Sequence, residues 1–161
     1  MSAERRIREL GLELPSGSAP AANYVNAVRS GNLLFIAGKA PLPENGRLPR
    51  GRLGAEYTAE EGYRFARSAA LDLMAVMRAE LGSLDRVARV VEIQGFLNAL
   101  PEFEDHAKVL NGCSDLLVEV FGERGLHARS VLGASSLRGG LPLVLKGVVE
   151  VADDGGAHES A

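Results

Sequence analysis

Arg129 opens an apolar run in the segment HARSVLGASSLRGGLP (127–142), so a strand beginning there would fix its guanidinium at one place on a sheet. A guanidinium held in that way can grip a carboxylate through two parallel charge-assisted hydrogen bonds, a geometry that lysine does not reproduce. The same arginine could instead close a salt bridge within or between chains. Tyr24 could set an aromatic wall against a small molecule and offer its hydroxyl to a polar atom, or pack at the start of a hairpin. Cys113 falls in an apolar stripe and is expected in the core, the alternative being a reactive thiol beside His106 or His127. These two histidines, with Asp105 and Glu123 near them in sequence, are too few to propose a metal centre, and no metal is expected. Asn111 and Ser114 could hydrogen-bond locally or face a cleft, and Glu119 could lend a carboxylate if a cleft reaches it. Neither G-x-x-x-x-G-K nor G-x-G-x-x-G occurs, so a nucleotide phosphate loop has no support and no cofactor is expected.

The elements that would position these groups follow from periodicity and caps. Residues 4–10 can form a short helix ended by Gly11. Two apolar pieces between Tyr24 and Ala37 flank the turn signal RSGN and predict a hairpin. Residues 38–57, rich in Gly and Pro, read as a long excursion of the kind used in sites and interfaces. Thr58 and Glu61 have capping-box spacing, after which Ala66, Ala70, Leu73, Met77 and Leu81 recur at helical spacing up to Gly82. DRVARVVEIQGF (85–96) reads as a strand, 102–121 as a second helix stopped by Gly122, and 128–134 and 142–151 as strands. On the last strand Leu143, Leu145, Gly147, Val149 and Val151 face one way, and Val144, Lys146, Val148 and Glu150 the other. The second face mixes apolar and charged side chains, which predicts either solvent or a subunit contact there.

Composition narrows the function classes. The chain of 161 residues fits one domain, expected over 21–152 behind an N-terminal extension (1–20) with a short helix and ahead of a disordered tail (153–161). A net charge of -3 lacks the cationic surplus of a polyanion-binding surface, so nucleic acid is an unlikely partner. A single cysteine rules out an internal disulfide, and no apolar run approaches the length of a signal core or membrane span, so a cytoplasmic protein without a membrane partner is expected.

Taken together, NYVNAVRSGNLLFIAGKAPL (23–42), the helix-strand-helix middle and ARSVLGASSLRGGLPLVLKGVVEV (128–151) resemble the YjgF, UK114 or RidA family, reactive-intermediate deaminases, over nearly all residues from 20 to 151. The resemblance implies an α/β, chorismate-mutase-like fold: a mixed β-sheet with two long helices on one face, assembled as a homotrimer around a central barrel, with ligand clefts between subunits. It also implies cofactor-independent hydrolysis of amino-acid-derived enamines and imines to 2-keto acids and ammonia. Some relatives are described as ribonucleases. On this resemblance Arg129 would hold the carboxylate of a small ligand, Tyr24 would line the cleft, and the backbone near Gly38 and Ala134 would position water. The sequence also departs from the family. Lys39 stands where glutamine is common, Pro101 falls near an asparagine position, Arg138 replaces a proline, and Lys146 takes the place of a water-positioning glutamate. A lysine relays a proton only if its pKa falls from about 10.4, as burial or a second cation can arrange. Otherwise Arg129 and Lys146 form a cleft for an anion, leaving Glu119 as a substitute carboxylate or the chain as a non-catalytic binder of carboxylate metabolites, with ribonuclease activity as a third reading.

Overall fold

The computed structural model describes residues 1–153; residues 154–161, nearly all of the expected tail, lie outside the described residues. Helix α1 (Ala3–Glu9) starts where the Ser2 hydroxyl accepts the Arg5 amide, and it buries Ala3 and Ile7. Its Glu4 carboxylate receives two guanidinium nitrogens of Arg78 and the Leu84 amide, which ties α1 to the far end of α2 (Ala59–Leu81). The Thr58–Glu61 capping box forms as expected, and Gly82 closes α2 in the left-handed region (φ 83°). The second long helix, α3 (His106–Phe121), starts four residues later than expected, because 101–105 turn instead, with the Phe103 amide donating to the Leu100 carbonyl.

The strands are β1 (Ala27–Ser30), β2 (Leu33–Lys39), β3 (Val87–Asn98), β4 (Ala128–Ala134) and β5 (Leu143–Val151), in the sheet order β1-β2-β5-β3-β4. The β3–β4 pair is parallel and crosses over through α3, and the other pairs are antiparallel. Both long helices cover one face, where Leu143, Leu145, Val149 and Val151 of β5 are buried as the alternation required. The helices touch backbone to backbone at Gly112, where a Cβ would run into the Tyr63 carbonyl oxygen.

The mixed sheet and its two long helices match expectation, but the trimeric barrel requires correction. Among the described residues the sheet is open: β1 pairs only with β2 and β4 only with β3, and the three intervening strands hold these edges roughly 19 Å apart. The opposite face exposes Val28 and Phe35 near Lys146.

Candidate functional site

A β-bulge builds the site. Along β2, Leu34 and Ile36 point into the core, so strict alternation would send residue 38 inward and residue 39 outward. One extra residue intervenes between the Ile36–Gly147 and Lys39–Leu145 pairs, and the side-chain parity reverses. Lys39 therefore points to the helix side and is only 3% exposed, while the backbone passes so close to β5 that a Cβ on Gly38 would lie 2.8 Å from Val144 Cγ1. The glycine at 38 is explained by this strand contact.

A buried ammonium needs compensation. Lys39 Nζ donates to Asn26 Oδ1 (2.7 Å) and to Ser18 Oγ (3.3 Å). The Ser18 hydroxyl in turn donates to Asp72 Oδ2 at 2.7 Å, and Asn26 Nδ2 donates to the Ser18 carbonyl. Asp72, on α2, is also only 3% exposed. Cation, hydroxyl and carboxylate thus form one chain along the wall of a cavity of about 280 Å³, which Tyr24, Gly38 and Arg138 also line. The Tyr24 hydroxyl accepts the Ala21 amide and folds the 18–26 segment over the cavity. The Arg138 guanidinium makes no hydrogen bond or ion pair among the described residues and is free for an anion.

The site residues expected from sequence divide accordingly. Tyr24, Gly38 and Lys39 come together. Lys146 is exposed on the open face, where it shares a shallow depression with Tyr24 and Gly38 and sits opposite Gln94 on β3. Arg129 lies at the far edge of the sheet and turns to α3, donating to Ser114 Oγ (3.0 Å) and the Ala107 carbonyl (3.3 Å). Ala134 lines a separate cavity of about 310 Å³ with Arg52, Phe103 and His106. Glu119 is on the outside of the helix pair, bonded to Arg67 at 3.2 Å. Ser18 and Asp72 were missed. A signal existed for Asp72, a lone charge inside the apolar run AALDLMAVM (69–77) at a core-facing position.

Cys113 is fully buried, and burial pushes its thiol up to about 12, which removes it as a nucleophile. Among the described residues no three His, Cys, Asp or Glu side chains gather to hold a metal ion, and no helix is long and apolar enough to cross a membrane.

Comparison with known proteins places this architecture. Residues 4–145 match a family profile described as "YjgF/chorismate_mutase-like, putative endoribonuclease". A Trypanosoma cruzi protein named TCP17 is 42% identical over 146 residues, 90% of this chain and 91% of that one. Among solved structures, the Agrobacterium tumefaciens protein Atu1372, of unknown function, is 36% identical (TM-score 0.84, covering 92% of each chain). A Shewanella oneidensis protein described as a "putative endoribonuclease" is 33% identical (TM-score 0.90), covering 94% of this chain and all of that one. These descriptions correct the expectation that nucleic acid is an unlikely partner. Net charge averages over a whole surface and does not register a local cluster of arginines. With its mixed sheet, paired helices and matching segments, the chain belongs to the YjgF/RidA-like family of chorismate-mutase-like fold.

Proposed function

We propose that the chain hydrolyses small amino-acid-derived imines and enamines to 2-keto acids and ammonia in the cavity of Tyr24, Lys39, Asp72 and Arg138. The observation that carries this reading is the Asp72 carboxylate lining that cavity, joined to a hydroxyl and a buried cation. C=N hydrolysis needs an anchor for the substrate carboxylate and an acceptor for a proton of water. Arg138 supplies a free guanidinium fork for the first. For the second, water attacks the iminium carbon while passing a proton to Ser18 Oγ, and Ser18 passes its own proton to Asp72. The proton then returns to nitrogen; as the C–N bond breaks, Asp72 takes the remaining hydroxyl proton through Ser18 so that the carbonyl forms, and that proton passes to the departing ammonia, leaving ammonium and the 2-keto acid.

The test is keto-acid release from freshly generated imines. Asp72→Asn and Ser18→Ala should each lower kcat, by about 10²-fold or more for Asp72, and Arg138→Ala should raise KM. Wild-type rates in folded Ser18→Ala and Asp72→Asn, or no acceleration across a panel of imines, would reject the reading.

A second reading, RNA cleavage, is favoured by a neighbouring cavity of about 270 Å³ lined by Arg47, Arg50 and Arg64, whose guanidinium groups have no partner among the described residues. Such groups suit phosphate contacts. Cleavage of single-stranded RNA that disappears in Arg50→Ala/Arg64→Ala would support it, and absence of cleavage by the wild type would eliminate it.

A further inference from the structure

Ser114 and His127 form a second constellation that imine hydrolysis does not use. His127 Nδ1 lies 2.6 Å from the Gly125 carbonyl oxygen, and Nε2 lies 2.9 Å from Ser114 Oγ. A carbonyl only accepts, so Nδ1 carries the proton. In the neutral ring Nε2 is then an acceptor, and the serine hydroxyl must donate to it. Arg129 donates to the same Oγ at 3.0 Å, occupying a lone pair. This is the logic of a nucleophile, a base and an orienting group, with a main-chain carbonyl as the third member.

The arrangement is held rigidly. Gly125 is buried, and a Cβ there would strike the Leu117 carbonyl, so the turn carrying the orienting oxygen is seated directly on α3. The ring also stays neutral near pH 7: burial pushes the His127 pKa down and the Arg129 charge adds to this, against the opposing bond to Gly125. The buried Cys113 thiol, near Arg129, is neutral as well. Ser114, His127 and Arg129 are each partly exposed. Around them, Val118 (37% exposed) lies one helical turn beyond Ser114, and Leu126 (58% exposed) adjoins His127.

We propose that Ser114, His127 and Arg129 form an acyl-transfer site for small esters with a short apolar acyl group. Ser114 Oγ bonds to the ester carbon while its proton moves to His127 Nε2, and Arg129 faces the oxyanion formed as the carbonyl opens. The C–O bond to the alcohol then breaks, and the alcohol takes the proton from Nε2. Water, giving its proton to His127, hydrolyses the acyl-serine, and that proton returns to Ser114 Oγ.

The full chain is treated with p-nitrophenyl acetate and, separately, with a fluorophosphonate, followed by intact-mass measurement and peptide mapping. The expected results are a burst of about one nitrophenolate per chain and a phosphonyl adduct on Ser114. Ser114→Ala should abolish both, and His127→Gln, verified as folded, should slow labelling by about 10²-fold or more. No adduct at Ser114 after saturating exposure at pH 8, or labelling of His127→Gln at the wild-type rate, would overturn the proposal. Because this site shares no residue with the Asp72 cavity, its failure leaves the imine reading untouched.

Discussion

Replacing Asp72 by asparagine keeps the volume of the side chain and removes its charge, which leaves the Lys39 ammonium buried without a compensating anion. Removing one member of a buried ion pair costs about 3–5 kcal/mol when the pair is in direct contact. Here a serine hydroxyl stands between the charges, and the Asn26 side-chain oxygen Oδ1 still accepts from Nζ at 2.7 Å. The expected loss is therefore smaller, about 2–3 kcal/mol. For a domain of this size each kcal/mol corresponds to roughly 2–4 °C, so the midpoint should fall by roughly 4–12 °C. Thermal and urea unfolding of the wild type, Asp72→Asn, Lys39→Met and the double variant close a double-mutant cycle. Lys39→Met should rescue much of the loss, since a methionine of similar length needs no counter-charge. A midpoint for Asp72→Asn within 1 °C of wild type (smaller than the ~2 °C per kcal/mol scale), or a double variant that simply adds the two losses, would refute the coupling.

Gly112→Ala should cost about 3 kcal/mol or more, read as a drop in urea midpoint, because the new methyl meets the Tyr63 carbonyl and forces α2 and α3 apart. Glu4 gives an acid-limb prediction. Burial raises its pKa, but the Arg78 hydrogen bond and the Leu84 amide outweigh it, so the folded value lies below the ordinary 4.5. Its contribution is fully present above 4.5 and is lost as pH falls through the folded value, so Glu4→Gln should flatten the fall of stability with pH below 4.5. His127 has the same sign at a higher pH: its lowered value stabilises the neutral ring above 6.5, and that share is lost as pH falls below it, which His127→Gln should remove from the unfolding profile.

The parts of the fold written in local chemistry were legible. Helix α2 carries its start and stop signals in Thr58, Glu61 and Gly82, and both appear where read. The strand alternation of 143–151 likewise named its buried face correctly. Pairing is not local, and neither the parallel β3–β4 contact nor the central position of β5 could be read from any one segment. The candidate site follows the same division. Tyr24, Gly38 and Lys39 are close in sequence and come together, whereas the bulge that turns Lys39 inward is set by its register against β5. Asp72 was hidden because its position also fits the apolar stripe around it, and Ser18 because it lies in a connection without periodicity.

The sheet order constrains the way this chain can be made. β5 is the last of the described strands to be synthesised, yet it lies between β2 and β3 and joins the β1–β2 hairpin to the β3–β4 pair. Until it has left the ribosome exit tunnel, both halves present unpaired strand edges, and α2 lacks part of the sheet it covers. At about 5–20 residues per second, the interval between completion of β2 at residue 39 and emergence of residue 151 lasts several seconds to tens of seconds. During that interval the Lys39 ammonium has no β5 to set its register and no buried position to occupy. Chaperone dependence should therefore be concentrated before β5 emerges, and ribosome-bound chains stalled with β5 still in the tunnel should be far more protease-sensitive than chains stalled on a C-terminal linker long enough to carry β5 out of it.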